Sequence, residues 1–174
     1  MKVLGIVGWS GSGKTTLITT LLSLLHSRGL SVSTVKHTHH GFDMDRPGKD
    51  TYRHREAGAQ EVLVASSQRW ALMHEVAGNE PELPELLARL SPVDLVLVEG
   101  FKAHRFAKLE VHRPALGKPP IWPDHTDVAA VATDAPISCD RAVLALNDPA
   151  SVMDWLLDFL DLARHPIAAV PNRR

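Results

Sequence analysis

The chain has 174 residues, a formal net charge of −1 and 22% charged residues. This length favours one domain over 1–174 with a real hydrophobic core, and the balanced charge gives no long-range attraction to nucleic acid or to an anionic membrane. The single cysteine, Cys139, excludes an internal disulfide framework and fits a reducing compartment. No apolar run reaches the ~18–20 residues of a membrane helix, so we expect a cytoplasmic protein without nucleic-acid or membrane partners.

The chain opens with a strand and a helix that are joined by a glycine-rich loop. Residues 3–7 form an apolar run typical of a buried parallel strand, and leucines recur at helical spacing over 15–25. The loop between them reads GWSGSGKTT and matches G-x-x-x-x-G-K-[ST]. Glycines let successive N–H groups point at an anion, and the helix N-terminus adds a partial positive charge. The loop therefore predicts binding of a nucleoside triphosphate through Gly8, Ser10, Gly11, Ser12, Gly13, Lys14, Thr15 and Thr16.

A strand over 30–36 leads into a polar segment, VKHTHHGFDMDRPGKDTYRHREAGA, at 35–59. This segment has three functional interpretations besides a solvated loop. Its histidines could bind a transition metal, the loop could hold Mg²⁺ and sense a terminal phosphate, or its cations could bind a second phosphorylated ligand. A helix begins near Asp50, and the adjacent Arg53 and His54 point to different sides of it. The candidates for a second ligand are Lys36, His37, His39, His40, Asp43, Asp50 and Arg53.

The middle of the chain contains two segments that look like antiparallel ribbons, at 61–76 and at 107–113. In the first, AQEVLVAS and RWALMHEV are strands that can pair, and a short helix follows in PELPELLARL. Bulky apolar residues occupy nearly every position over 70–73, so neither strand face would be cleanly polar. Such a strand needs cover on both faces, and a second copy of the chain is the simplest source of it. The second ribbon is predicted in AKLEVHR.

A third apolar run, VDLVLV at 93–98, is followed by Glu99 and Gly100. A phosphate-binding loop needs an acidic residue at the carboxyl end of a nearby strand to help hold Mg²⁺. Glu99 takes this role in the prediction, reaching the metal together with Thr15, either directly or through a water molecule, and the Gly100 N–H can face the terminal phosphate. Lys14 and Glu99 are the candidate catalytic groups.

Two more strands, in DVAAVATD and RAVLALND, precede a helix over 148–163. Strands that alternate with helices predict an α/β fold with three layers, in which helices cover both faces of a mostly parallel sheet. Asp134 and Asn147 follow these last strands and are candidates for reading a nucleotide base. The segments ATD and LND serve equally well as turn residues that cap the next element.

Together, GWSGSGKTT, the KHTHH…D…PGKD run, SSQRWALMHE and DLVLVEGFK resemble the molybdopterin-guanine dinucleotide biosynthesis protein B (MobB) family, over residues 2 to about 162. The resemblance implies a P-loop fold, GTP and Mg²⁺ as ligands, weak GTPase activity and a homodimer. It also implies an accessory role beside the molybdopterin guanylyltransferase and other molybdenum cofactor proteins. The N-K-x-D motif by which G proteins read guanine is absent, so the preference for guanine depends on the resemblance.

Two other functions remain open at this point. A small-molecule kinase could use the same loop, with Arg53 and Arg55 covering the transferred phosphate. A GTPase that delivers a metal could use His37, His39 and His40.

Overall fold

The computed structural model describes residues 1–38 and 41–162, and it divides the chain into two compact units. The first unit comprises Met1–His37 and the chain from Leu90 onward, and the second comprises Thr38–Arg89. In chain order the strands and helices are β1 (Lys2–Val7), α1 (Lys14–Ser27), β2 (Val32–Lys36), α2 (Asp50–Glu56), β3 (Glu61–Ala65), β4 (Trp70–His74), α3 (Leu83–Leu87), β5 (Leu95–Glu99), β6 (Lys108–His112), β7 (Val128–Thr133), β8 (Ala142–Ala145) and α4 (Pro149–Phe159). No helix among these residues is long and apolar enough to cross a bilayer.

The first unit is built on a six-stranded sheet in the order β2-β5-β1-β6-β7-β8, in which every neighbouring pair is parallel. The carboxyl ends of all six strands therefore meet at one edge of the sheet, where ligands bind in open parallel sheets. The segments that leave β1, β5, β7 and β8 at this edge include the residues singled out above for nucleotide binding.

One face of the sheet is covered by α1 and α4, which contact each other. In α1 the buried side chains recur at the spacing of one helical face, because Leu17, Leu21 and Leu25 lie one turn apart. In α4, Asp148 caps the N-terminus by accepting a hydrogen bond from the Ser151 N–H at 3.3 Å. Both helices share a core with alternate residues of the strands, which include Leu4, Ile6, Leu95, Leu97, Leu109, Val111, Ala130 and Ala132.

Part of the opposite face packs against a 3-10 turn, Trp122–Asp124. Val7, Val128 and Val131 form a smaller cluster with the buried Trp122. Two partly buried coil residues, Ile137 and Cys139, pack against this cluster. The α/β fold with a mostly parallel sheet is thus confirmed.

The prediction of a ribbon at 107–113 is wrong, because this segment is a central strand of the parallel sheet, between β1 and β7. Its alternating pattern is real. Leu109 and Val111 face the main core, while Lys108, Glu110 and His112 project to the opposite face. Those polar side chains are buried as well, so the alternation does not mark a solvated face.

Each buried polar side chain of β6 has a partner. Lys108 donates to the Asp127 carboxylate and to the carbonyls of His104 and Phe106. Glu110 accepts hydrogen bonds from the N–H groups of Ile121 and Trp122 at 2.9 Å each, and the His112 ring packs edge-on against the Trp122 ring. Buried polar groups persist only when they are paired in this way.

In the second unit β3 and β4 form a two-stranded antiparallel sheet, which confirms the ribbon predicted at 61–76. Val62 is buried on one face of the ribbon, whereas Leu63, Trp70 and Leu72 share the opposite face and are largely exposed. The exposed fraction is 61% for Leu63, 67% for Trp70 and 42% for Leu72.

Candidate functional site

The glycine-rich loop lies between β1 and α1, as the sequence predicts. Three of its glycines have φ values of the left-handed region, which are 147° at Gly8, 81° at Gly11 and 100° at Gly13. At Gly8 a side chain is also excluded by space, because a Cβ would lie 2.5 Å from the Val111 carbonyl oxygen. The chain therefore curls into the N-terminus of α1, where backbone N–H groups and the helix dipole favour an anion.

Lys14 is the first residue of α1, and its Nζ donates to the Trp9 carbonyl oxygen at 2.9 Å. Partial burial lowers the pKa of Lys14, Glu99 opposes this shift, and Lys102 and Lys36 add to it. Three lysines and one carboxylate thus influence each other electrostatically at the start of α1. The hydroxyl-bearing Thr15 follows Lys14 in the first helical turn and is exposed.

Glu99 ends β5, directly beside β1, and pairs in register with Ile6 of that strand and with Lys36 of β2. Its side chain is 16% exposed and lies 3.7 Å from the Lys36 Nζ. The position agrees with that of an acidic partner to the glycine-rich loop, since β1 leads into the loop from the adjacent strand.

Two features of the backbone at position 100 favour glycine over any residue with a side chain. The φ of Gly100 is 99°, and a Cβ would lie 3.0 Å from the Cβ of His37. Its N–H points at the Ile6 carbonyl oxygen at 3.4 Å, and contact of this N–H with a terminal phosphate stays a prediction.

Arg113 belongs to the site although the sequence did not single it out. It follows β6 at the carboxyl edge, where its Nε donates to the Ser12 carbonyl oxygen at 2.9 Å and its Nη1 donates to the Asp134 Oδ2 at 2.6 Å. Its place directly after a strand of the parallel sheet would have revealed it, because ligands bind at that edge. This signal was missed because the sequence pattern predicts a ribbon over 107–113.

Trp9, a variable position of the loop motif, was also missed. Its Nε1 donates to the Pro119 carbonyl oxygen at 2.7 Å. The Lys102 Nζ lies 4.4 Å from the centre of its ring, and the Lys118 Nζ lies 5.9 Å from it. Trp9 therefore connects the loop to the coil after β6 and gathers two further cations beside it.

The structure brings Asp134 and Asn147 together. They line an open depression of about 310 Å³ whose other walls are Thr133, Ala135, Pro136, Val143, Leu144 and Ala145. This volume is at the lower end of the range found for small-molecule sites, ~300–1,000 Å³. The aspartate of the LND segment, Asp148, caps α4 and does not line the depression. Asp134 is therefore the carboxylate that lines it.

The candidates for a second ligand divide between the two units. Lys36 and His37 belong to the first, where the His37 ring packs 4.5 Å from the Phe101 ring. Asp43, Asp50 and Arg53 belong to the second. His39 and His40 lie outside the described residues. Over residues 1–38 and 41–162, no three His, Cys, Asp or Glu side chains are grouped so that they could hold a metal ion.

Arg55 is part of the scaffold of the second unit. Its Nη2 donates to the Asp43 carboxylate and its Nη1 to the Glu75 Oε1, all at 2.9 Å, and its side chain is only 16% exposed. These carboxylates raise the pKa of Arg55, and the Asp45 N–H and Arg55 lower the pKa of Asp43. An arginine held by two carboxylates does not suit the lid of a kinase, so the position of Arg55 does not favour that alternative.

Comparison with known proteins agrees with this geometry. The family model for molybdopterin guanine dinucleotide synthesis protein B matches residues 3–134. The molybdopterin-guanine dinucleotide biosynthesis adapter protein of Escherichia coli K12 is 43% identical over 164 residues, which cover 92% of this chain and 94% of that protein. The adapter protein of Haemophilus influenzae is 41% identical, with 92% and 90% covered.

Solved structures show the same likeness. The crystal structure of a molybdopterin-guanine biosynthesis protein B superimposes with a TM-score of 0.74 at 28% identity, and the match covers 91% of this chain and 99% of that one. The family model spans well over half of the sequence, and the relatives are matched over nearly their whole length. The chain therefore belongs to the MobB family.

Proposed function

We propose that the chain is a GTP-binding adapter protein of molybdenum cofactor biosynthesis, which assists the formation of molybdopterin guanine dinucleotide. The accessory role is supported by the relatives from Escherichia coli and Haemophilus influenzae, both of which are named as adapter proteins of this pathway. The partner proposed for it is the molybdopterin guanylyltransferase, which carries out the transfer of the nucleotide.

The observation that carries nucleotide binding is the joint position of the glycine-rich loop and Glu99. The loop curls at the N-terminus of α1, Lys14 starts that helix, and Glu99 ends the strand next to β1. Backbone N–H groups and a lysine bind phosphates, and the hydroxyl of Thr15 with the carboxylate of Glu99 supplies the oxygen ligands that Mg²⁺ prefers. When bound, Mg²⁺ would neutralise charge on the outer phosphates.

The depression at the ends of β7 and β8 is the proposed site of the base. A carboxylate accepts hydrogen bonds only, and guanine offers two adjacent N–H donors on one edge, whereas adenine does not. Asp134 is therefore the residue proposed to select GTP over ATP. Asn147, which has a donor and an acceptor, supplies a second polar contact on the same wall.

We expect slow hydrolysis. Fast G proteins position the attacking water with a glutamine, and the only glutamines of this chain, Gln60 and Gln68, lie in or beside the ribbon of the second unit. An arginine supplied by a partner can raise turnover by ~10³–10⁵, so the isolated protein should turn over well below about one GTP per second.

A homodimer through the ribbon completes the proposal. Leu63, Trp70 and Leu72 lie on one face of the two-stranded sheet, and all three are more than two-fifths exposed. Two strands alone are marginally stable in water, and large exposed apolar side chains that share one face indicate a partner surface. In a two-fold symmetric dimer the same ribbon of a second copy would cover this surface, because such an interface uses one patch on both subunits.

The test is a binding panel of GTP, GDP and ATP with and without Mg²⁺, measured by calorimetry. Lys14→Ala should weaken GTP binding by roughly 2–3 kcal/mol, because a charge-assisted contact is lost. Lys2→Ala, at the amino end of β1, is the matched control and should bind as the unmutated protein does. Equal GTP affinity in the Lys14 and Lys2 variants would refute the site.

Glu99→Gln separates the metal from the nucleotide. It should shift the Mg²⁺ titration of GTP binding or turnover and leave binding without Mg²⁺ nearly unchanged, since the substitution keeps the size of the side chain and removes the charge proposed to face the metal. Glu56→Gln on α2 serves as control, because that side chain is exposed in the second unit. An unchanged Mg²⁺ titration would make Glu99 a bystander at the end of its strand.

A further inference from the structure

Arg113 occupies a position that joins two parts of the proposed nucleotide site. His112 of β6 and Thr133 of β7 are the last paired residues of their strands, so Arg113 and Asp134 leave the sheet side by side. Arg113 makes an ion pair with Asp134 at 2.6 Å, and its Nε reaches across to the Ser12 carbonyl of the glycine-rich loop at 2.9 Å.

The contact with Ser12 sets the direction of a loop peptide. In a trans peptide the carbonyl and the following N–H point in opposite directions, and no cis peptide occurs in the described chain. Because Arg113 binds the Ser12 carbonyl from one side, the Gly13 N–H is directed to the other. Gly13 sits against the same side chain, since a Cβ there would lie 3.5 Å from the Arg113 Nη2.

The contact with Asp134 sets the direction of a carboxylate. The two-thirds buried Arg113 side chain holds Oδ2, which leaves the orientation of the whole carboxyl group determined by the same guanidinium. Partly exposed ion pairs contribute little to folding stability, so stability alone gives little reason for this arrangement. One planar guanidinium that binds two acceptors is well suited to fixing the geometry of both.

We infer that Arg113 is a positioning residue that couples recognition of the base at Asp134 to the binding of phosphates by the glycine-rich loop. This inference rests on the proposed GTP site and adds a specificity-determining residue to it. Arg113 touches neither ligand directly in this scheme. It holds the Gly13 N–H toward the phosphates and the Asp134 carboxylate toward the base, so the loss of one contact disturbs the other.

The experiment measures the affinities for GTP, ATP and inorganic tripolyphosphate in the presence of Mg²⁺ by calorimetry. The variants are R113Q, R113K, D134N and the double variant R113Q/D134N. R28Q is the matched control, because Arg28 forms an ion pair with Asp154 at the far end of α1, roughly 20 Å away along that helix. Thermal unfolding without ligand checks that each variant is folded.

R113Q should weaken tripolyphosphate binding about tenfold and GTP binding by more than that, so the preference for GTP over ATP falls. D134N should lower the same preference and also weaken tripolyphosphate binding, by a smaller factor than R113Q does, because an amide oxygen can still accept a hydrogen bond from Arg113 but forms no ion pair with it. For GTP, the double variant should lose less than the product of the two single losses, because both changes break one network. R113K, which reaches one acceptor at a time, should fall between R113Q and the unmutated protein.

Three results would overturn the inference. R113Q could behave as R28Q does, its loss could be the same factor for all three ligands, or the losses of R113Q and D134N could multiply independently. Should R113Q fail to fold, R113K decides the matter, and an unchanged preference for GTP in R113K overturns the coupling. An unmutated protein that binds neither tripolyphosphate nor GTP would instead refute the proposed function, and the inference with it.

Discussion

The strand β6 and the ribbon β3–β4 look alike in the sequence and are opposites in the structure. Both are short segments in which polar and apolar residues mix, and both are predicted as ribbons. In β6 the charged Lys108 and Glu110 are 1% and 0% exposed, whereas in the ribbon the apolar Trp70 and Leu63 are 67% and 61% exposed. Polar side chains are buried in one region, and apolar side chains are exposed in the other.

The difference follows from how many neighbours each strand has. β6 lies between two strands and beneath the turn that contains Trp122, so every side chain of the strand must be buried, and the polar ones find acceptors or donors there. The ribbon has only two strands and leaves the face with Leu63, Trp70 and Leu72 open. The elements that surround a strand thus decide whether its side chains are buried. The polarity of a buried side chain decides only whether it needs a hydrogen-bond or ion-pair partner there.

The largest effect on stability should come from Lys108→Met. The change leaves the Asp127 carboxylate and the His104 carbonyl without their buried cation, and breaking such a pair costs about 3 kcal/mol. Urea unfolding should show this loss, while Lys2→Met should not. Changing Asp127 to leucine as well should recover part of it. A loss below about 1 kcal/mol for Lys108→Met would mean that the buried lysine is not needed.

Glu110→Ala should destabilise the protein by about 2 kcal/mol, because two buried N–H donors lose their acceptor. The near-ultraviolet circular dichroism should change too, since Trp122 carries one of those donors and packs against His112. Glu56→Ala, on an exposed face of α2, is the control. A variant that unfolds as the unmutated protein does would show that water replaces the carboxylate at no cost.

A carboxylate of β6 and a carboxylate of the second unit have pKa values that are shifted in opposite directions. Burial raises the pKa of Glu110, against the hydrogen bonds from Ile121 and Trp122. The Asp45 N–H and the Arg55 guanidinium lower the pKa of Asp43 in the second unit. In a carbon-13 NMR titration, Glu110 should titrate above its ordinary value of 4.5 and Asp43 below 3.8.

The sign for stability follows from proton binding. Above pH 4.5 the folded chain holds the Glu110 proton more firmly than the unfolded chain does, so this contribution is fully present below 4.5 and is lost as the pH rises through the folded pKa. Asp43 acts in the opposite sense: its contribution is present above 3.8 and is lost as the pH falls through its folded pKa. Relative to Glu110→Gln, the unmutated protein should lose stability as the pH rises above 4.5. A difference that stays constant or grows would contradict the raised pKa.

The smallest effect on the folded chain should come from the ribbon. Trp70→Asp with Leu72→Asp should change the free energy of unfolding of the single chain by no more than about 0.5 kcal/mol, because both side chains are exposed. The same change should turn the proposed dimer into monomers in sedimentation equilibrium. Thr19→Asp, an exposed position on α1, should leave the dimer intact. A monomer mass for the unmutated protein would show that the ribbon serves another purpose.

The sequence by itself determined the local parts of this protein. The strand, the glycine-rich loop and the helix at the start of the chain follow from residue types within 25 positions, since φ values above zero demand glycine and a helical face demands leucines one turn apart. Glu99 at the end of an apolar strand and the pairing of 61–76 are equally local. They need no knowledge of what lies on the other side of the sheet.

Only the tertiary structure decided which strands are neighbours. The order β2-β5-β1-β6-β7-β8 places Glu99 beside the loop and sets Arg113 between Ser12 and Asp134, which are 122 positions apart in the chain (134 − 12). It also buries Lys108 and Glu110, whose partners lie in coil segments and in the 3-10 turn at Trp122. Strand order depends on long-range pairing, and a periodic pattern records only whether a side chain is polar, not whether a partner will meet it.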